Sequence, residues 1–161
     1  MTIKVGDKLP LVTLRQVTSE GPKEVITDEF FRGRKVALFA VPGAFTPACS
    51  QRHLPGYVEK AADLKAKGVD EVACVAVNDA AVLTAWGKDQ RAEGKVTMLA
   101  DGSGEFTRAL GLELDLTKAG LGIRSKRYSM LVDNAVVKSL NVEEQPGQVT
   151  VSAADAMLRG L

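Results

Sequence analysis

The stretch VALFAVPGAFTPACS (residues 36–50) joins an unbroken apolar run to a Pro-Gly pair, a Thr-Pro pair and a cysteine. The run 36–41 reads as a buried strand, and Pro42 and Gly43 punctuate its end. Thr46 then stands where a helix N-cap belongs, and Pro47 where the first helical residue belongs. The spacing predicts Cys49 in the first turn of that helix. Backbone N–H groups there have no carbonyl partners, and the helix dipole is positive. Both features stabilise a thiolate. A strand running into a helix that holds a sulfur anion is the unit around which the rest of the chain is read.

Outward from this stretch the alternation of strand and helix continues. Leu54, Tyr57, Val58, Ala61, Ala62 and Leu64 recur at helical spacing, so the helix should run from 47 to 67 and stop at Gly68. Pro55 lies inside it and predicts a kink near the second turn. EVACVAV (71–77) and VTMLA (96–100) read as further buried strands. Asn78 is expected to cap a short helix through Trp86. DGSGEFTRALG holds another short helix ending at Gly111. YSMLVD and VVKSLNV form an antiparallel hairpin turning around Asp133-Asn134. Ser152 and Asp155 have the spacing of a capping box before a last helix, 153–159. The segment 112–125 reads as a long irregular loop of the kind that borders functional sites. The sum is one α/β domain over 1–161, with a mixed sheet, helices on both faces and an extended N-terminal portion.

The 161 residues include 21 Lys and Arg against 20 Asp and Glu, a formal charge of +1. That balance gives no reason to expect nucleic acid or an anionic membrane as partner. No apolar run approaches the ~18 residues of a membrane span, and the start, MTIKVGDKLPLVTLRQ, lacks the apolar segment of a secretory signal. Two cysteines do not make a disulfide scaffold, and a reducing compartment, the cytoplasm, is expected.

Cys49 and Cys74 contrast. Cys49 has polar neighbours (Ser50, Gln51, Arg52) and the helix start, the setting of a reactive thiol. Cys74 sits mid-strand among apolar residues and reads as an inert core thiol. Their separation excludes a C-x-x-C motif. His53, the only histidine, is four residues beyond Cys49, so a Cys–His hydrolase dyad is conceivable. Pro55 disturbs that helix and no orienting carboxylate is in view, which favours a supporting role. One histidine also makes a histidine-based zinc site implausible. The cluster Arg124-Ser-Lys-Arg127 reads locally as a solvated basic turn, with strand alternation setting Arg127 opposite Tyr128 and Met130. Two rivals to a redox enzyme with one reactive cysteine stay open on this reading: another thiol enzyme, and a non-enzymatic binding module in which Cys49 is a capped core residue.

The pattern Pro42-x-x-x-Thr46-x-x-Cys49 resembles the peroxidatic signature of peroxiredoxins. HLPGYVEKAADLKAKG, VNDAAVLTAWGK, LADGSGEFTRALGLELDL and GLGIRSKRYSMLVDN are similar to the type II, Prx5-like subfamily, over nearly the whole chain. The resemblance implies a thioredoxin-like fold and a thiol-dependent peroxidase that reduces hydrogen peroxide and organic hydroperoxides, serving antioxidant defence and redox homeostasis. It implies Cys49 as the peroxidatic cysteine, Thr46 as the hydroxyl that positions the peroxide, Pro42 as a shield for the thiolate, and Arg127, before Tyr128, as the active-site arginine. Gly43, His53, Arg124 and Trp86 fall at binding or supporting positions. Ala48 departs from the threonine expected there. The segment EEQPGQVTVSAAD lacks the resolving cysteine that some members carry, so glutathione, glutaredoxin or thioredoxin is the implied reductant. No metal or organic cofactor is implied, and the subfamily analogy adds a homodimer.

Overall fold

The structure, a computed structural model, describes residues 2–161. The chain opens with an antiparallel pair, β1 (Thr13–Thr18) and β2 (Gly21–Ile26), and a short helix, α1 (Thr27–Phe31). The apolar run becomes β3 (Lys35–Val41). A long helix follows, which begins at Pro47, passes through a wide π turn at Cys49–His53 and continues as α2 (Leu54–Ala66). Then come β4 (Glu71–Ala76), α3 (Ala80–Asp89), β5 (Thr97–Ala100) and α4 (Glu105–Leu110). A two-stranded ribbon, β6 (Glu113–Leu116) and β7 (Gly122–Ser125), precedes the hairpin β8 (Tyr128–Asp133) and β9 (Val136–Val142), and α5 (Ala154–Arg159) closes the chain.

Seven strands form one sheet in the order β2-β1-β5-β4-β3-β8-β9. β3, β4 and β5 are parallel, while β8 runs antiparallel to β3 and β1 to β5. This is the mixed, thioredoxin-like arrangement expected. The central strands read as continuous apolar runs because both faces are covered. Ala37, Phe39 and Val41 face a core shared with Leu54, Tyr57, Leu64, Trp86 and Met157. Val36, Leu38 and Ala40 face the opposite core with Phe30, Phe31, Phe106 and Leu110. Each large side chain buried completely in these layers contributes about 1.5–3 kcal/mol.

Four local expectations need correction. The segment 112–125 is no loop: Glu113, Leu114, Asp115 and Leu116 alternate exposed and half-buried and pair with β7. The left-handed Gly120 and Gly122 (φ +79° and +70°) let the chain double back. Asn78 does not cap α3; Asp79 does, accepting from the Val82 amide at 2.9 Å. Ser152 does not cap α5 either, which starts at Ala154 with no side-chain cap. The hairpin turns one residue later than expected, since Asp133 pairs with Val136 and Asn134 and Ala135 both take positive φ. Among the described residues, no helix is long and apolar enough to cross a membrane.

Candidate active site

The register of β3 against β8 builds the site. Ala40 pairs with Tyr128, so the chain leaving β3 at Val41 passes beside the chain entering β8 at Arg127. Tyr128 points into the core on the far face. Its neighbour Arg127 therefore points to the near face, where Cys49 lies in the other core. Residues 78 positions apart in sequence meet there.

The turn after β3 is tied down from within and from outside. The Gly43 carbonyl accepts from both the Thr46 hydroxyl (2.6 Å) and the Thr46 amide (3.4 Å). The Ala44 amide donates to the Asn78 side chain at 2.9 Å, which is where the expected helix cap is used instead. Thr46 starts the helix through its backbone only: its carbonyl accepts from the Ser50 amide at 2.9 Å. Its hydroxyl does not cap. Having donated to Gly43, that oxygen keeps lone pairs free to accept. A Cβ at Gly43 would stand 2.9 Å from the Arg124 guanidinium, so any side chain there would displace the end of Arg124.

Pro55 stands immediately after the wide turn, at the start of regular α geometry. A prolyl ring in an α-helix clashes with the carbonyl four residues back and donates no bond. Here the Leu54 amide reaches back five residues to the Cys49 carbonyl, and regular α geometry begins only then. Where a kink was expected, the structure has this π turn. Ser50 in the same turn accepts from the Trp86 indole N–H at 3.0 Å, which anchors the turn to α3.

Cys49 is completely buried, and the Arg127 guanidinium donates to its Sγ at 3.0 Å. The other nitrogens of Arg127 are also engaged. Nη1 meets His53 Nδ1 at 2.9 Å, and Nε donates to the Pro146 carbonyl at 3.0 Å. Arg127 is only 2% exposed. Among the described residues, no carboxylate pairs with it. A buried cation without a counter-charge is costly. The sulfur of Cys49 is one of the groups that this guanidinium touches directly.

His53 serves the arginine. Its Nε2 lies 3.1 Å from the Ser152 carbonyl, which can only accept, so Nε2 carries the proton and Nδ1 accepts from Arg127. Burial, reinforced by the Arg127 charge, pushes its pKa down to about 3 and keeps the ring neutral. With its lone pair occupied, His53 is not the base of a Cys–His dyad. Tyr57, stacked on Phe39 with ring centroids 3.9 Å apart, also donates to the Ser152 carbonyl, at 2.8 Å.

The remaining sequence candidates lie around this cluster. Pro42 and Gly43 are buried at the end of β3. Arg124 bonds to the Leu121 and Pro42 carbonyls (2.8 and 3.4 Å) and not to the sulfur. Cys74 is fully buried opposite Phe39, and burial, with the nearby Cys49 adding to it, pushes its thiol pKa well up. Both cysteines are free. Among the described residues, no cluster of His, Cys, Asp or Glu could hold a metal ion. The sequence did not mark the site contacts of Tyr57, Asn78 and Ser152, nor the carbonyl of Pro146. The surface grooves gave no pointer either: one of about 480 Å³ along Arg15, Glu24, Asp79 and Glu105 and one of about 630 Å³ between Thr18 and Lys88 both miss Cys49.

Comparison with known proteins places this geometry. The redoxin family model matches residues 4–158. The chain belongs to the redoxin family. This redoxin is 51% identical over 164 residues to peroxiredoxin-2E, chloroplastic, of Arabidopsis thaliana, covering 99% of this chain and 70% of that one. The crystal structure of reduced Prx3 from Vibrio vulnificus in complex with H2O2 is 53% identical, with a TM-score of 0.93 and 99% of each chain covered. Peroxiredoxin 5 from Alvinella pompejana is 41% identical with a TM-score of 0.85, covering 98% of this chain and 96% of that one. The redoxin is thus a peroxiredoxin of the type II, Prx5-like kind, and a thiol-dependent peroxidase.

Proposed function

We propose that Cys49 is the sulfur that meets the peroxide, reducing hydrogen peroxide and organic hydroperoxides with Thr46, Arg127 and Pro42 as its partners. The observation that carries this reading is the Arg127–Sγ bond of 3.0 Å from a buried guanidinium with which, among the described residues, no carboxylate pairs. The Cys49 thiolate attacks one peroxide oxygen, forming the S–O bond as the O–O bond breaks. The departing oxygen takes up a proton and leaves as water or alcohol, and a sulfenic acid remains. Negative charge shifts from sulfur onto the oxygens during the displacement. Arg127 and the first-turn amides are donors fixed beforehand for that charge. The free lone pairs of the Thr46 hydroxyl suit it to accept from the peroxide O–H. Pro42, buried beside the turn, keeps water from the sulfur.

Regeneration falls to an outside thiol: glutathione, glutaredoxin or thioredoxin. The first equivalent forms a mixed disulfide with Cys49 and releases water; the second takes over the disulfide and returns the thiol. Cys74, with its deprotonation opposed by burial, is poorly suited to resolve the sulfenic acid. A peroxidase with two free thiols is suited to the cytoplasm, the compartment we assign. We also assign a homodimer.

Cys49→Ser should abolish peroxide reduction with the fold intact. Arg127→Ala should slow Cys49 oxidation by about 10²–10³, the scale of losing a fixed donor to a developing anion. Arg124→Ala should cost less than about fivefold, since the donor it loses serves the turn and not the sulfur. Second-order rate constants with hydrogen peroxide decide this. Activity retained in Cys49→Ser, or equal losses for the two arginines, would overturn the assignment.

A further inference from the structure

Glu143 is a buried carboxylate for which the reaction just described has no use. It directly follows β9, and its amide donates to the carbonyl of Arg127 itself at 2.9 Å. Its side chain accepts four hydrogen bonds. Two come from Thr150, from the amide at 2.7 Å and the hydroxyl at 2.8 Å. Two come from Ser152, from the amide at 2.9 Å and the hydroxyl at 2.6 Å. Burial opposes its ionisation, but the bonds from Ser152 and Thr150 outweigh burial and hold its pKa below the ordinary carboxylate value. It is a permanent anion at neutral pH.

These bonds close the loop 143–152 on itself. Residues 144–148 are exposed; a turn holds them from within, the Gln148 amide donating to the Gln145 carbonyl and the Gln145 amide to the Gln148 side chain (both 3.1 Å), and Arg52 donates to the Gly147 carbonyl at 2.7 Å. Yet that loop supplies the acceptors that orient the reactive arginine. The Pro146 carbonyl takes Arg127 Nε. The Ser152 carbonyl takes His53 Nε2, and so fixes the tautomer that offers Nδ1 to Arg127 Nη1. Two of the three contacts of the guanidinium therefore depend on a loop whose ends meet at one carboxylate. Arg52 anchors the tip of that loop, and Glu143 holds its two ends together.

We propose that Glu143 is a positioning residue of the peroxidase site: by closing the 143–152 loop it sets the Pro146 and Ser152 carbonyls that aim Arg127 at the Cys49 sulfur. The inference rests on Arg127 acting at the reacting oxygens, and the test separates the two claims. Trp86 is the only tryptophan and is bonded to Ser50 beside Cys49, so its fluorescence follows Cys49 oxidation in a single turnover. Glu143→Ala should slow that oxidation about tenfold or more in the protein carrying Arg127, as small misplacements of a reacting geometry do. In the Arg127→Ala background the same change should cost less than about twofold, because the group it aims is gone. Glu143→Gln keeps one acceptor oxygen and should recover part of the rate. A merely structural role would give the same loss in both backgrounds, and that result overturns the proposal. So does a Glu143→Ala rate equal to that of the parent. If Arg127→Ala slows the reaction while Glu143→Ala does not, this inference alone fails; if Arg127→Ala has no effect, both claims fail. Should Glu143→Ala not fold, Thr150→Val and Ser152→Ala each remove one hydroxyl donor and leave the carboxylate in place. A slower rate confined to the Arg127-containing protein supports the proposal, and no effect from either variant overturns it.

Discussion

His53 has an ordinary pKa of 6.5, and the fold lowers it to about 3, by burial first and by Arg127 second. Between those values the unfolded chain binds a proton that the folded chain refuses. Stability therefore falls as pH drops through this window, by up to about 1.4 kcal/mol per pH unit, and the contribution is complete above 6.5. Glu143, with its pKa lowered from 4.5, adds its own loss only at lower pH. Urea unfolding between pH 5 and 6.5, values chosen to lie above the ~4.3 of ordinary carboxylates, should show a clear acid slope that His53→Gln flattens. An unchanged slope in the variant would mean that His53 is not held neutral. At this scale the sequence exposed some roles and concealed others. Cys49 announces itself through Thr-Pro and the end of an apolar run, because helix starts have local rules. Thr46 obeyed those rules in its backbone while its hydroxyl turned to Gly43, a choice that depends on how the preceding turn folds. Glu143 stands in a polar run, EEQPGQVTVS, where nothing marks which carboxylate will be buried.

The elements were legible wherever one local signal dominated. Three buried strands showed as apolar runs, and α4 showed through the Gly111 that ends it in a left-handed conformation. Short, mixed signals failed: ELDL is a genuine period-two strand only four residues long, and Asn78 and Asp79 compete for one cap. The helix carrying Cys49 lies between these cases, because Pro55 signals a disturbance without saying which kind. If the missing N–H and the ring of Pro55 set the π turn, Pro55→Ala should let the turn tighten toward α geometry. Every side chain before it would then rotate relative to α2, and Sγ would move off Arg127. The expected outcome is a melting temperature at least equal to the parent's, with Cys49 oxidation slower by about tenfold or more. A parental rate would instead assign the wide turn to its packing, through Trp86 on Ser50 and His53 on Ser152.

At the scale of the molecule, topology decides the chemistry. No local signal joins Arg127 to Cys49; the pairing of Ala40 with Tyr128 does, so strand order had to be known before Arg127 could be placed against the sulfur. The resemblance to Prx5-like proteins supplied Arg127 in advance, whereas residue-by-residue reading favoured a solvated turn. The same turn bears on assembly. Phe45, between the buried Pro42 and the helix start, is 53% exposed and held at φ +63°, a conformation unfavourable for a bulky residue. Ile123, 49% exposed, sits on β7 next to Arg124, which bonds to the Pro42 carbonyl. Two apolar side chains are thus presented on adjoining segments at the rim of the site, the composition of an interface centre. A homodimer burying them should persist in sedimentation of the reduced protein at roughly tens of micromolar, a working range for an interface of standard size. Phe45→Gly removes the ring and the backbone strain together, so its expected conversion to monomer cannot be traced to a damaged turn. A parent protein that sediments as a monomer in that range ends the proposal, and a dimeric Phe45→Gly moves the interface to another face.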